Sequence, residues 1–302
     1  MNKEKKLRVI SYGEVLWDCF PGYRNIGGAP LNAALRMQSL GCDVNMISAI
    51  GEDTDGSEIK AFLEKHGVGT TGISTIAECP TGTVQVSLND RGSATYDITY
   101  PSAWDSIPLT ETAIRLVSSS DLLVYGSLAC RDSISESTLH HLLSAPVFKV
   151  FDVNLRSPHY TAETITGLMA KADFIKFNDD ELYEIAEALG SPYYSLEQNI
   201  TYISRKTGTP SICVTKGRHG AVLWQSGKWF YNSGYNITVK DTVGAGDSFL
   251  ATLLTHLFHH SSGPQQAIDT ACAMGALVAE NEGANPVIDK DRLKTLMGGK
   301  RG

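Results

Sequence analysis

Short, almost unbroken apolar runs alternate along the chain with segments whose apolar residues return every three or four positions. The runs at 7–15 (LRVISYGEV), 43–51 (DVNMISAIG), 121–127 (DLLVYGS), 148–154 (FKVFDVN), 172–178 (ADFIKFN) and 211–217 (SICVTKG) read as strands. Helical periodicity is predicted over 30–41, 56–68, 110–120, 135–145, 161–172, 179–190 and 195–208, then over 248–260 and 264–282. Strands that stay apolar at successive positions belong to a parallel sheet covered on both faces. The alternation predicts a doubly wound α/β fold with helices on both faces, in one domain over 1–302.

Two segments break this rhythm, at 15–25 and 81–107. The second, TGTVQVSLNDRGSATYDITYPSAWDSI, alternates apolar with polar around an Asn-Asp-Arg-Gly turn at 89–92. That is the pattern of an antiparallel hairpin. Inserted in a parallel fold, the two segments predict a small antiparallel flap over one edge of the sheet.

Composition narrows the function. Hydrophobic residues make up 42% of the 302, enough for a large core, and the formal net charge is −7. That balance argues against a general nucleic-acid or membrane-surface binder, while leaving room for a small anion in a local site. No run approaches the roughly 18 apolar residues of a membrane span. Glu14 and Asp18 interrupt the N-terminal apolar stretch, so no signal peptide is expected there. The six cysteines are scattered without CxxC spacing, as in a reduced cytoplasmic protein. Gly51-x-Asp53-x-Asp55-Gly56 has the outline of a calcium loop, but its twelfth position is Phe62, not Glu. His256, His259 and His260 share a helical face, and a solvated helix end accounts for them.

The chemistry concentrates in KDTVGAGDSFLATLL, 240–254. A glycine-rich turn running into a helix gathers anions, because the first amides lack partners and the helix dipole is positive there. The amides of Gly244, Ala245, Gly246 and Asp247 can line one hollow. Yet Asp247 would repel a phosphate held there. A phosphoryl-transfer site resolves the conflict, since the attacking hydroxyl must give up a proton to a nearby base. Helix capping by Asp247 is the alternative. No G-x4-G-K-[ST] loop occurs, which argues against an ordinary P-loop enzyme. The first strand ends in SYGEVLWD, not GxGxxG, which argues against a dinucleotide oxidoreductase. Earlier, Gly27 and Gly28 precede a helix with Pro30 and Asn32 in its first turn, downstream of Asp18. A carboxylate such as Asp18 can accept two sugar hydroxyls. Arg156, at the C-terminal end of a strand in Asp152-x-Asn154-x-Arg156, sits where open α/β sheets bind ligands.

With GGAPLNAA and DTVGAGDSF, the chain resembles the ribokinase-like, PfkB carbohydrate kinases. GEDTDG, FDVNLR, KFNDDE and TKGRHGA follow in family order, so the resemblance covers nearly the whole chain. It implies Asp247 as base and Gly244, Ala245 and Gly246 as anion hole. Sugar then lies against Asp18, Gly27, Gly28, Asn32, Arg156 and Trp104 under the β lid; Trp104 is the residue distinctive of fructokinases, and anchoring the lid is its alternative role. The nucleotide, ATP, lies against Lys176, Asn178, Thr215, Gly217, Gly220 and Asn281. Asn178 and Glu181 organise magnesium through water, although the same pair also makes a capping box. Asp241 and the Val243 carbonyl align with a monovalent-cation loop used by some members, potassium being the expected ion. Fructose is the expected substrate. Ribose and 2-keto-3-deoxygluconate come next, and a non-catalytic sensor last. An exposed lid edge could pair two copies.

Overall fold

The computed structural model describes residues 6–88, 94–260 and 262–298. In chain order it contains β1 (Arg8–Tyr12), β2 (Leu16–Phe20), β3 (Tyr23–Gly27), α1 (Ala29–Ser39), β4 (Asp43–Gly51), α2 (Thr54–Lys65), β5 (Gly69–Ile76), β6 (Gly82–Leu88) and β7 (Ala94–Ile98). Then come α3 (Glu111–Ser118), β8 (Leu122–Gly126), α4 (Ser133–Leu142), β9 (Phe148–Asp152), α5 (Ala162–Met169), β10 (Phe174–Asn178) and α6 (Asp179–Ala188). The chain continues through α7 (Leu196–Thr207), β11 (Ser211–Thr215), β12 (Ala221–Gln225), β13 (Lys228–Asn232), α8 (Ala245–Phe258), α9 (Pro264–Ala279) and α10 (Lys290–Gly298).

The large sheet runs β13-β12-β11-β10-β9-β8-β1-β4-β5. It is parallel from β5 to β11 and closes with the antiparallel hairpin β12–β13. The apolar runs stay apolar because successive residues feed different cores. On β8, Leu122 and Val124 face the core shared with α1, α8 and α9; Leu123 and Tyr125 face the other, with α3, α4 and α5. The chain order reverses between β1 and β8, the switch point where such sheets open a crevice at the strands' C-terminal ends.

The predicted strand over 7–15 is cut short. It ends at Tyr12, because Gly13 takes φ 143° and brings the chain so close to Pro30 that a Cβ would stand 2.7 Å from its ring. β5 was not anticipated: GTTGISTI is an edge strand rich in Thr and Gly, with too few apolar residues for a run. Nor were β12, β13 and α10. Helix 264–282 stops earlier, at Ala279.

Segments 15–25 and 81–107 do form a second sheet, ordered β3-β2-β6-β7. Two antiparallel hairpins, β2–β3 and β6–β7, meet along a parallel β2–β6 pair. The turn predicted at 89–92 lies outside the described residues. Both hairpins are moored on the start of α2. Thr81 donates from its amide and hydroxyl to the two Asp53 carboxylate oxygens, at 2.8 and 2.6 Å, while Asp53 also caps α2 through the Gly56 amide. Arg24, stacked over Trp17, bonds Asp55 and Glu58. The GEDTDG motif is therefore a mooring for the lid.

Candidate active site

The site grows from the start of α8. Gly244 turns the chain at φ 73°, and a Cβ there would stand 2.6 Å from Ala284, so both backbone and space exclude a side chain. The helical ladder begins with Ser248 N–H donating to the Gly244 carbonyl at 2.8 Å. The amides of Gly246 and Asp247 precede it. Of the amides expected in the hollow, that of Ala245 is turned to the Thr242 carbonyl at 3.2 Å.

Asp247 follows in the first turn. Asn32, 4% exposed on α1, donates through Nδ2 to Asp247 Oδ2 at 2.9 Å. Desolvation and the like charge of Asp152 push the Asp247 pKa up to about 6, against the pull of Asn32, Lys176 and Arg156. Lys176 is buried beside it and donates to Asp152 Oδ1 at 2.9 Å. Burial disfavours that ammonium, but Asp152, Glu181 and Asp247 together raise its pKa. Gly246 lies beside it: a Cβ there would be in ordinary contact with Lys176 Nζ, at 3.5 Å. The lysine expected to meet the nucleotide thus stands beside the turn that opens α8.

Asn178 and Glu181 make the reciprocal cap of α6, at 2.7 and 2.8 Å. Glu181 also accepts the Leu155 amide at 3.0 Å, fastening α6 to the segment that carries Arg156. Burial raises its pKa, with Lys176 opposing. Among the described residues, no three His, Cys, Asp or Glu side chains group as a metal site. Asp152, Glu181 and Asp247 instead surround an ammonium. This donor set fits a divalent ion brought by phosphates and held through water, which is how magnesium usually binds.

On the lid side, Asp18 projects from β2 towards Gly27, where a Cβ would overlap its Oδ2. Burial pushes the Asp18 pKa up to about 6, opposed by Arg156 and reinforced by Asp247. Gly28 takes φ 112°, and a Cβ there would press on the Glu14 carbonyl at 2.5 Å. Arg156 is exposed, bonded to the Leu155 carbonyl, and its charge lowers the pKa of Glu14, Asp18 and Asp247 alike. Trp104 departs from the expected sugar contact. It is 0% exposed, covered by Arg131 at 4.0 Å, and Arg131 is itself bidentate on Asp105. The tryptophan anchors the lid from beneath.

The remaining predicted residues hold local structure. Thr215 donates to the Phe177 carbonyl at 3.3 Å. Gly217 and Gly220 take φ 50° and 78° in the tight turn before β12. Asn281 folds back on the Leu277 carbonyl at 2.8 Å, as a helix cap. Asp241 accepts the amides of Val243 and Gly283, each at 3.0 Å, which ties the turn before α8 to the segment after α9.

Sequence reasoning missed Glu14. It is 4% exposed, its Oε2 has no partner, and desolvation pushes its pKa up to about 7. It lines a cavity of about 10 Å³, room for one water, with Pro30, Ser127, Asp152 and Asn154. The signal was present: Glu14 follows the first parallel strand, at the same sheet edge that singled out Arg156. Asn285 and Arg36 were also missed: Asn285 stands in no motif, and Arg36 follows GGAPLNAA on α1 with nothing local to point to Ser248 and Pro286.

The profile of the pfkB family carbohydrate kinases matches residues 5–291. The chain belongs to that family. Fructokinase-2 of Oryza sativa subsp. japonica is 27% identical over 311 residues, covering 93% of this chain and 90% of its own. A double-mutant fructokinase from Vibrio cholerae O395, in fructose-, ADP- and potassium-ion-bound form, superposes with a TM-score of 0.83 at 23% identity, covering 98% of this chain and 100% of that one. A putative ribokinase II from E. coli gives a TM-score of 0.86 at 19% identity, covering 97% and 99%. The pfkB kinase described here is thus a sugar kinase, with the mostly parallel sheet and small second sheet of its neighbours. None of its described helices is long and apolar enough to cross a membrane.

Proposed function

We propose that this kinase transfers the γ-phosphoryl group of ATP to the primary hydroxyl of D-fructose, giving fructose 6-phosphate. The observation that carries the transfer chemistry is the placement of Asp247. A carboxylate stands at the amide-lined start of α8, held by Asn32 and poised with a pKa of about 6. Such a base is ionised at neutral pH yet basic enough to take a proton in the transition state. The sugar lies under the lid against Asp18, Gly28 and Asn32, with Arg156 among the carboxylates. The hydroxyl gives its proton to Asp247 as its oxygen attacks the γ-phosphorus in line and the bond to ADP breaks. The amides of Gly244, Gly246 and Asp247, with Lys176, face the charge that spreads over the phosphoryl oxygens.

Magnesium, when bound, neutralises phosphate charge, and Glu181 and Asn178 would hold it through water. Both Asp241 oxygens already accept amides. A potassium ion at that turn would therefore draw on backbone carbonyls, Val243's among them. The nucleotide lies towards the Thr215–Gly220 turn and Asn281. The choice of fructose is supported by the names of the curated relatives and by the GGAP and lid sequences. The outer strands of the lid, β3 and β7, are the edges at which a second copy would pair, which sedimentation would test.

The deciding assay is ADP formation with Mg-ATP over fructose, ribose, glucose, mannose and 2-keto-3-deoxygluconate. Fructose is expected to have the highest kcat/KM. Preference for another of the sugars would discard the fructose assignment and keep the chemistry.

A further inference from the structure

The side-chain amide of Asn32 is engaged at both ends. Its Nδ2 donates to Asp247 Oδ2 at 2.9 Å, and its Oδ1 accepts from Asn285 Nδ2 at 2.7 Å. These two ends are not interchangeable. An ionised carboxylate only accepts, so Asn32 must present its NH2 to Asp247 and its oxygen to position 285, which must then donate. Turned over, Asn32 would set oxygen against oxygen at Asp247. Asn285 supplies the donor that keeps the amide the right way round. It does so unfavourably for itself, because its own Oδ1 is shut off from solvent without a partner. A buried acceptor left in that state has lost its water without a replacement. Stability alone does not favour such an arrangement, and a role at the base explains it.

Position 285 is held from two sides. The Pro286 carbonyl accepts from Arg36 Nη2 at 2.9 Å, and Arg36 Nε donates to the hydroxyl of Ser248, the residue after Asp247, at 3.1 Å. On the other side, Gly283 is bonded to Asp241, and Ala284 packs on Gly244. The 283–286 segment is therefore pinned to α1, to the turn at 241–244 and to the start of α8.

We propose that Asn285 is a positioning residue for phosphoryl transfer: it fixes the Asn32 amide so that Asp247 keeps a donor, and through it the 283–286 segment sets where the base stands. The proposal rests on Asp247 being the base. The charged groups facing Asp247 are Asp152 on β9, Lys176 on β10, Arg156 beyond β9, Asp18 on β2 and Glu14 after β1. The variants below leave all of them in place.

The test is a carbon-13 NMR titration of the Asp247 carboxyl, identified by its loss in Asp247→Asn, alongside kcat/KM for the sugar against pH. In Asn285→Asp, the new carboxylate would take the Asn32 NH2 and turn the Asn32 oxygen to Asp247. The Asp247 titration is expected to rise by about one unit, a tenfold change in proton affinity. The acidic limb of kcat/KM should move with it, a loss of about fivefold at pH 6 if the limb starts there. The ATP KM should stay near the wild-type value. Asn285→Gln, which restores a donor, is expected to bring the titration back, and near-ultraviolet circular dichroism checks that each variant is folded. An Asp247 titration that stays put in folded Asn285→Asp, or in folded Asn285→Ala, overturns the proposal. A wild type that turns over no sugar, yet whose Asp247 titration shifts in Asn285→Ala, which adds no charge beside it, would discard the kinase base and leave this hydrogen-bond placement standing.

Discussion

At the residue scale, Asp247 is where a sequence motif and the proposed mechanism meet, at a carboxylate hydrogen-bonded to Asn32. Its place in GAGD was legible because glycines at a helix start and an adjacent acid are a chemical contradiction that proton transfer resolves. Its neighbours were less legible. Asp152, Lys176, Glu14 and Asn285 come from four distant parts of the chain, and only the parallel register brings their strand ends and loops to one edge. Asn32 was expected to touch sugar; in the fold its amide donates to Asp247. Replacing Asp247 by Asn should lower kcat by about 10²–10⁴, the usual worth of a general base. Steady-state kinetics and ATP titration check this, with nucleotide affinity expected to persist because the amides remain. Unchanged turnover would remove Asp247 from the mechanism. In the wild type, kcat/KM for the sugar should fall with decreasing pH through about 6, as Asp247 takes up a proton and can no longer accept one. Asp18, also pushed up to about 6, steepens that limb if it must be ionised to bind the sugar. Asp18→Ala should then leave a shallower limb and a raised sugar KM, with the ATP KM little changed.

At the scale of elements, the periodicities located most of what the fold uses. The 43–51 run is β4 to the residue, and 15–25 and 81–107 are the two hairpins of the second sheet. What escaped were β5, polar because it is an edge, and the β12–β13 hairpin, although AVLWQ and KWFYN are strand-favouring runs either side of a Ser-Gly turn. The mooring of the lid was hidden for another reason. GEDTDG looked like a failed calcium loop, and nothing local ties Asp53 to Thr81, 28 residues on. Thr81→Val keeps shape and removes the hydroxyl that bonds Asp53 and accepts the Gly51 amide at 2.9 Å. A buried amide and a carboxylate would lose a partner, a cost of about 1–3 kcal/mol. If the lid positions the sugar, its KM should rise several-fold more than that of ATP. Equal rises in both would mean that the clasp supports the whole cleft and not the lid.

Across the whole molecule, crowding carboxylates at one sheet edge has a consequence for stability opposite to its consequence for activity. Glu14, Asp18 and Asp247 all have folded pKa values above those of an open chain, at about 7, 6 and 6. At these three groups the folded protein therefore holds more protons than the unfolded chain between pH 4 and 7, while His159 and His256, whose pKa values burial lowers, oppose them. Stability from these groups falls as pH rises through that window and is greatest below it. Asp53 works the other way: Thr81 and Gly56 hold its pKa below the ordinary carboxylate value despite burial, so its contribution is lost only in stronger acid. The melting temperature should thus increase by a few degrees as pH falls from 8 to about 5, while sugar phosphorylation declines over the same range. Glu14 is the group most shut off from solvent, and it takes no direct hand in the proposed chemistry. Glu14→Gln cannot ionise, so its melting temperature should depend less on pH across that window, with the difference from wild type largest near pH 8. Differential scanning calorimetry at fixed ionic strength gives both curves. Parallel curves would show that Glu14 ionises freely in the folded protein, and that the stability of this sheet edge is set by Asp18 and Asp247 instead.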